Sequence, residues 1–127
     1  MMPRSQGSVP GRHATFDDCI VRLPEIAELG FDVVYLTPIH PIGTKNRKGR
    51  NNSLKTEPGD PGSPYAIGSA EGGHTAVHPE LGRLSDFRRF VEEVHRRGLR
   101  VINELVINHT SDQHAWFQAA RAAPPGS

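Results

Sequence analysis

Two short apolar runs, each preceded by an amphipathic stretch that ends in glycine, most constrain what this chain can fold into. Phe31-Asp32-Val33-Val34-Tyr35-Leu36-Thr37-Pro38 and Arg100-Val101-Ile102-Asn103-Glu104-Leu105-Val106-Ile107 are rich in β-branched residues. They are nearly continuous in apolarity, the pattern of strands buried on both faces and hence of a parallel sheet. The first, over 31–37, follows a helix expected over 15–29. Thr15 is its N-cap, Asp17 and Asp18 complement the dipole of its first turn, and Phe16, Ile20, Leu23, Ile26 and Leu29 line one face. Gly30 closes it in a left-handed cap, and Pro24 predicts a kink near Arg22. The second strand, over 100–107, follows a helix expected over 85–97. Ser85 caps that helix, Phe87, Phe90, Val91 and Val94 form its apolar face, and Gly98 ends it. The order helix, strand, long loop, helix, strand defines an α/β fold. Its strand-to-helix loops, 39–83 and 108–127, are where α/β proteins place ligands.

The chain's 127 residues fit one domain. A net charge of +1 gives no general pull towards nucleic acid or acidic membranes. The single cysteine, Cys19, forms no internal disulfide and points to a reducing, cytoplasmic setting. No signal-type or membrane-spanning apolar run is expected. Leu, Ile, Val and Phe supply little more than a fifth of the residues, so the core must be thin.

In the long loop, Lys45, Arg47, Lys48, Arg50 and Lys55 lie among asparagine amides. Such a run holds a phosphate or is simply solvated surface, and no interleaved aromatic suggests stacking on bases. The glycine-rich stretch 62–74 carries Tyr65 and Ile67 as anchors. His74 and His78 are four apart, but Pro79 and the preceding glycines argue against the helix that would make them a metal pair. Past the second strand, Glu104 and Val106 face one way and Leu105 and Ile107 the other. Asn108-His109-Thr110-Ser111-Asp112 then reads as a turn leading to a helix cap.

Residues 15–42, Gly72-Gly73-His74-Thr75-Ala76-Val77-His78-Pro79-Glu80-Leu81-Gly82 and residues 101–109 together resemble the α-amylase superfamily, glycoside hydrolase family 13. The resemblance implies a (β/α)8 barrel of which this chain carries about two units, strands 2 and 3. Residues 3–99 are most similar to the branch of α-1,4-glucan:maltose-1-phosphate maltosyltransferases, on His40-Pro41-Ile42-Gly43, Arg47-Lys48-Gly49, Asn51-Asn52 and residues 62–74. Residues 101–117 are similar instead to trehalose synthases. The resemblance implies maltose 1-phosphate or an α-glucan as partner. Lys48 and Asn52 take donor-site positions, with Lys48 near the phosphate, while Ser63 and Tyr65 line the substrate pocket and His109 contacts the reacting sugar. It also implies that Asn108 supports a calcium site, and it implies no other cofactor. The sequence departs at Arg50, where the family has proline, and at Glu104, where the motif Asp-x-Val-x-Asn-His has aspartate.

Retaining glycoside chemistry needs two carboxyl groups about 5–5.5 Å apart. In this superfamily they lie on barrel strands 4 and 5. The expectation is therefore an N-terminal barrel fragment that contributes sugar-phosphate and active-site loops, with no catalytic residue of its own beyond the motif positions Glu104 and His109. The alternative is a non-catalytic remnant that binds sugar or phosphate weakly, or one that assembles with a complementary chain.

Overall fold

The computed structural model describes residues 1–43, 55 and 62–126, which fall into two compact units. The first comprises residues 1–39 and 77–104. It contains helix α1 (Phe16–Glu28), strand β1 (Val33–Leu36), helix α2 (Leu84–Arg96) and strand β2 (Arg100–Asn103). The strands pair in parallel, Val33 opposite Arg100 through Leu36 opposite Asn103.

Local chemistry sets both helix ends. In α1 the Asp18 carboxylate accepts from the backbone N–H of Thr15 at 2.8 Å. Gly30, at φ 88°, donates to the carbonyl of Ala27. Pro24 does not end the helix, which runs from Phe16 to Glu28. Packing of buried Phe16, Cys19 and Leu23 along one face holds it past the missing donor. In α2 the expected cap at Ser85 is replaced by Arg83, whose N–H donates to Asp86 at 2.7 Å. The carboxylate of the third helical residue, not the serine hydroxyl, satisfies the free backbone donor. At the other end Gly98 N–H donates to His95 and Leu99 N–H to Val94, the paired bonds of a Schellman cap, with Leu99 and Val94 both buried.

The core of this unit is Phe16, Cys19, Leu23, Val34, Leu36, Ile39, Leu81, Phe90, Val94 and Leu99. Phe16 stands 5.3 Å from Phe87 and 6.2 Å from Phe90, ring centre to ring centre, so α1 and α2 meet through aromatics. Each large side chain removed from water here contributes roughly 1.5–3 kcal/mol. Expected core residue Leu29 is instead 69% exposed, past the end of the buried stripe.

The strands also differ from expectation. They span four residues each rather than 31–37 and 100–107. Only one face of β1 is buried: Val34 and Leu36 point to the core, whereas Val33 and Tyr35 are half exposed and Ile102, beside Tyr35 in the register, is 51% exposed. A two-stranded sheet with helices on one face offers its other apolar face no cover within the unit. At the outer edge of β1 the Met1 amino group donates to the Tyr35 carbonyl at 2.6 Å and the Met1 carbonyl accepts from Thr37 N–H. Arg4 ion-pairs with Glu80, which holds the Glu80 carboxyl below its usual range.

The second unit comprises residues 40–76 and 105–127. Ile42 and Ile67 form an isolated antiparallel bridge, with Gly43 N–H donating to Ala66 and Gly68 N–H to Pro41. Ser111 N–H then donates to Ile67 at 2.7 Å. The segment expected as loop 108–127 contains a third helix, α3 (Ala115–Ala122). His114 caps it by accepting from Trp116 N–H at 3.0 Å. None of its residues is buried. Among the described residues no helix is long and apolar enough to cross a membrane.

Candidate functional site

In the second unit, backbone turns fix the motif residues before any side chain acts. Ser63 opens the turn 63–66: its carbonyl accepts from Ala66 N–H and its hydroxyl from Tyr65 N–H at 3.3 Å. The Tyr65 carbonyl then lies 3.1 Å from His109 Nε2, which donates to it, and the other ring nitrogen of His109 lies 2.7 Å from Asn108 Oδ1. Ser63, Tyr65, Asn108 and His109 therefore form one connected group, although 44 residues separate Tyr65 from His109. The two oxygens fix the plane of this exposed imidazole and occupy both of its nitrogens, so what it offers a ligand is its flat face and its C–H edge.

Glu104 belongs to the first unit, where its carboxylate accepts from the Tyr35 phenol and its N–H donates to the Leu36 carbonyl at 3.0 Å. Lys48 and Asn52 lie outside the described residues. Lys55, at the end of the same cationic run, is exposed. The Asn108 side-chain oxygen, expected at a calcium site, is turned to His109, and among the described residues no group of three His, Cys, Asp or Glu side chains could hold a metal ion. The same absence among the described residues applies to the pair His74 and His78.

Sequence reasoning missed a cluster of rings in the same unit. His40 and His74 lie 5.8 Å apart, His74 and His114 5.4 Å, and the Trp116 indole lies 4.6 Å from His114 and nearly parallel to His74. His40 Nδ1 donates to Ala76 at 2.9 Å and His74 Nε2 donates to Val106 at 2.7 Å. Burial lowers the pKa of His40 and of His114, and the neighbouring His74 lowers both further. Glycines make the room: a Cβ on Gly68 or Gly73 would overlap the His114 ring. The signal was present in His74-x39-His114-x-Trp116, but aromatic spacing across 40 residues is not periodic.

A family model of the α-amylase catalytic domain matches residues 6–127. The chain belongs to that family. It is 60% identical over 118 residues to the α-1,4-glucan:maltose-1-phosphate maltosyltransferase of Cereibacter sphaeroides, covering 93% of this chain and 20% of the relative. It is 57% identical to the Pseudomonas aeruginosa enzyme of the same name, covering 93% of this chain and 18% of that protein. Among solved structures, it superposes on Bacillus licheniformis trehalose-6-phosphate hydrolase with a TM-score of 0.72 at 31% identity, over 98% of this chain and 19% of that one. A Lactobacillus plantarum α-amylase gives 0.71 at 33% identity, over 96% of this chain and 24% of that one. The chain thus spans about a fifth of the length of the curated relatives it matches, and its two parallel strands are a small part of a TIM-barrel-type fold.

Proposed function

We propose that this chain supplies strands 2 and 3, with their ligand-facing loops, to an α-amylase-type barrel that transfers maltosyl units from maltose 1-phosphate to α-1,4-glucan. The observation that carries the reading is the clamped imidazole: His109 is held between the Tyr65 carbonyl and Asn108, which fixes the ring face that a sugar would pack against. The identity to maltosyltransferases supports the choice of donor. In this reading Lys48 and Asn52 take donor-site positions, with Lys48 near the phosphate, and Ser63 and Tyr65 line the pocket. The nucleophile and the acid/base lie outside residues 1–127, because they belong to later strands of the barrel. A lone buried thiol at Cys19 suits a cytoplasmic enzyme.

Calorimetric titration of maltose 1-phosphate into the chain tests this. Lys48→Ala and His109→Ala should each weaken binding about tenfold. Equal affinity in all three proteins, or none in any, overturns the reading, and so does turnover of the sugar by the pure chain.

A second reading, assembly with a complementary chain, is favoured by one feature. Val33, Tyr35 and Ile102 leave one sheet face apolar and exposed, which further strands would cover. Light scattering that finds only monomer with and without a chain carrying the later barrel strands would dismiss it.

A further inference from the structure

Helix α3 rests on a cap that a proton would destroy. Its N-cap, His114, is only 4% exposed, and the ring's Nδ1 accepts from Trp116 N–H at 3.0 Å. An imidazole accepts at Nδ1 only while it is neutral, with its one proton on Nε2. That Nε2 is buried without a hydrogen-bond partner, as is Nδ1 of His74, whose ring lies 5.4 Å away. The ring also fills a seat: a Cβ on Gly68 or Gly73 would overlap it, and the Trp116 indole stands 4.6 Å from it on the other side. No residue of α3 itself is buried, so His114 is the helix's buried anchor, supplemented by the bond from the Gln118 amide to the Asp112 carbonyl.

A second proton on this ring would oppose each of these contacts. It would turn Nδ1 from acceptor to donor and leave it facing the Trp116 N–H. It would also place a charge in a buried seat, at the positive end of a helix. The groups around the ring offer no compensation. His74 faces it from the segment that also carries Gly73, with His40 beyond at 5.8 Å from His74. Asp112 precedes it, Arg121 lies in the last turn of its own helix, and Glu71 lies on the turn across the cleft from Ala115 and Gln118. Of these described groups His74 alone acts on the ring, and like burial it favours the neutral form. We propose that His114 is an acid-sensitive latch: α3 and its Trp116 indole are held against residues 68–73 while the imidazole is neutral and released when it takes up a proton, with the first unit still folded. The folded ring titrates below the ordinary 6.5, so the anchoring is complete above pH 6.5 and is lost as pH falls below it, until the seated ring is itself protonated.

The test is an NMR titration of the 127-residue chain between about pH 8 and pH 5, the range in which imidazoles change charge. The Cα shifts of residues 115–122 report the helix, the Trp116 indole reports the seat, and the amides of Phe90 and Val94 report the first unit. Acidification should shift the helix-to-coil ratio of α3 at least about fivefold towards coil, the effect of a lost cap. That change should share its midpoint with the His114 ring resonances and leave the Phe90 and Val94 amides in place. His114→Asn keeps a capping oxygen but has nothing to titrate in this range, so its α3 should show no transition. The proposal falls if α3 keeps its helical shifts at pH 5 or is already coil at pH 8. It falls equally if the first unit is lost at the same midpoint, if the His114 ring titrates apart from the helix, or if His114→Asn shows the wild-type transition.

Discussion

The Tyr35 phenol on β1 donates to the carboxylate of Glu104, one residue past the end of β2, and thereby ties the two strands together beyond their backbone ladder. Aspartate, the residue usual in this motif, has an arm one methylene shorter. Glu104→Asp and Tyr35→Phe should each lower stability by about 1 kcal/mol, since a hydrogen bond to a partly solvated charge is worth that order. In a double-mutant cycle read by urea unfolding, the double variant should lose little more than either single one. Additive losses would show that the two side chains act independently.

Core aromatics should dominate stability. Phe90 is wholly buried and stacks on Phe16, so Phe90→Ala should cost about 3–5 kcal/mol. Domains of this size have only about 5–15 kcal/mol in hand. Thermal unfolding by circular dichroism should lose much of its cooperativity. A shift of only a degree or two would contradict the assigned core.

Two glycines should fail for different reasons. Gly98 sits at φ 74° in open space, so Gly98→Ala should cost only the left-handed strain of about 1–2 kcal/mol. At Gly73 the φ is not strained, yet an added Cβ would strike the His114 imidazole. Gly73→Ala should therefore perturb the Trp116 indole resonance and its fluorescence, while Gly98→Ala leaves both as they are.

Acid should destabilise the protein in two steps. His40 and His114 have pKa values below the ordinary 6.5 in the folded chain, so as pH falls through 6.5 the unfolded state takes up protons that the folded state does not. Stability is complete above that value and declines below it, until the folded histidines also protonate. Glu80, whose pKa lies below the ordinary 4.5 because Arg4 donates to it, adds a loss of the same sign from about pH 4.5 downward. His114→Asn keeps a capping side chain but removes one titration, so its stability should fall less steeply between pH 7 and 5. An unchanged slope would dismiss the ring stack as the source.

Cys19 is fully buried and its thiol is pushed up to about 12, chiefly by burial. At pH 8 it should resist alkylation in the folded chain and react at once in denaturant. Rapid labelling of the native protein would show that α1 opens readily.

Much of this molecule was legible without coordinates. The helix faces of Phe16, Leu23, Phe90 and Val94 follow from 3.6-residue periodicity, and the closures at Gly30 and Gly98 follow from the conformations only glycine adopts cheaply. The motif around Asn108 and His109 could be read for its family. What periodicity could not give was which apolar strand face had something to pack on. Val34 and Val33 are chemically the same residue, yet one is buried and the other exposed, because that difference is set by the helices across from them. The same limit hid α3 and the ring stack. His40, His74, His114 and Trp116 meet where long-range bonds close the loops, with Ile42 paired to Ile67 and Ser111 bonded to Ile67. Local sequence thus determined α1 and α2 and the places of β1 and β2, since propensities and caps act within one or two turns. Tertiary structure alone decided the site, because contacts between residues tens of positions apart depend on how loops close, a property no short window of sequence contains.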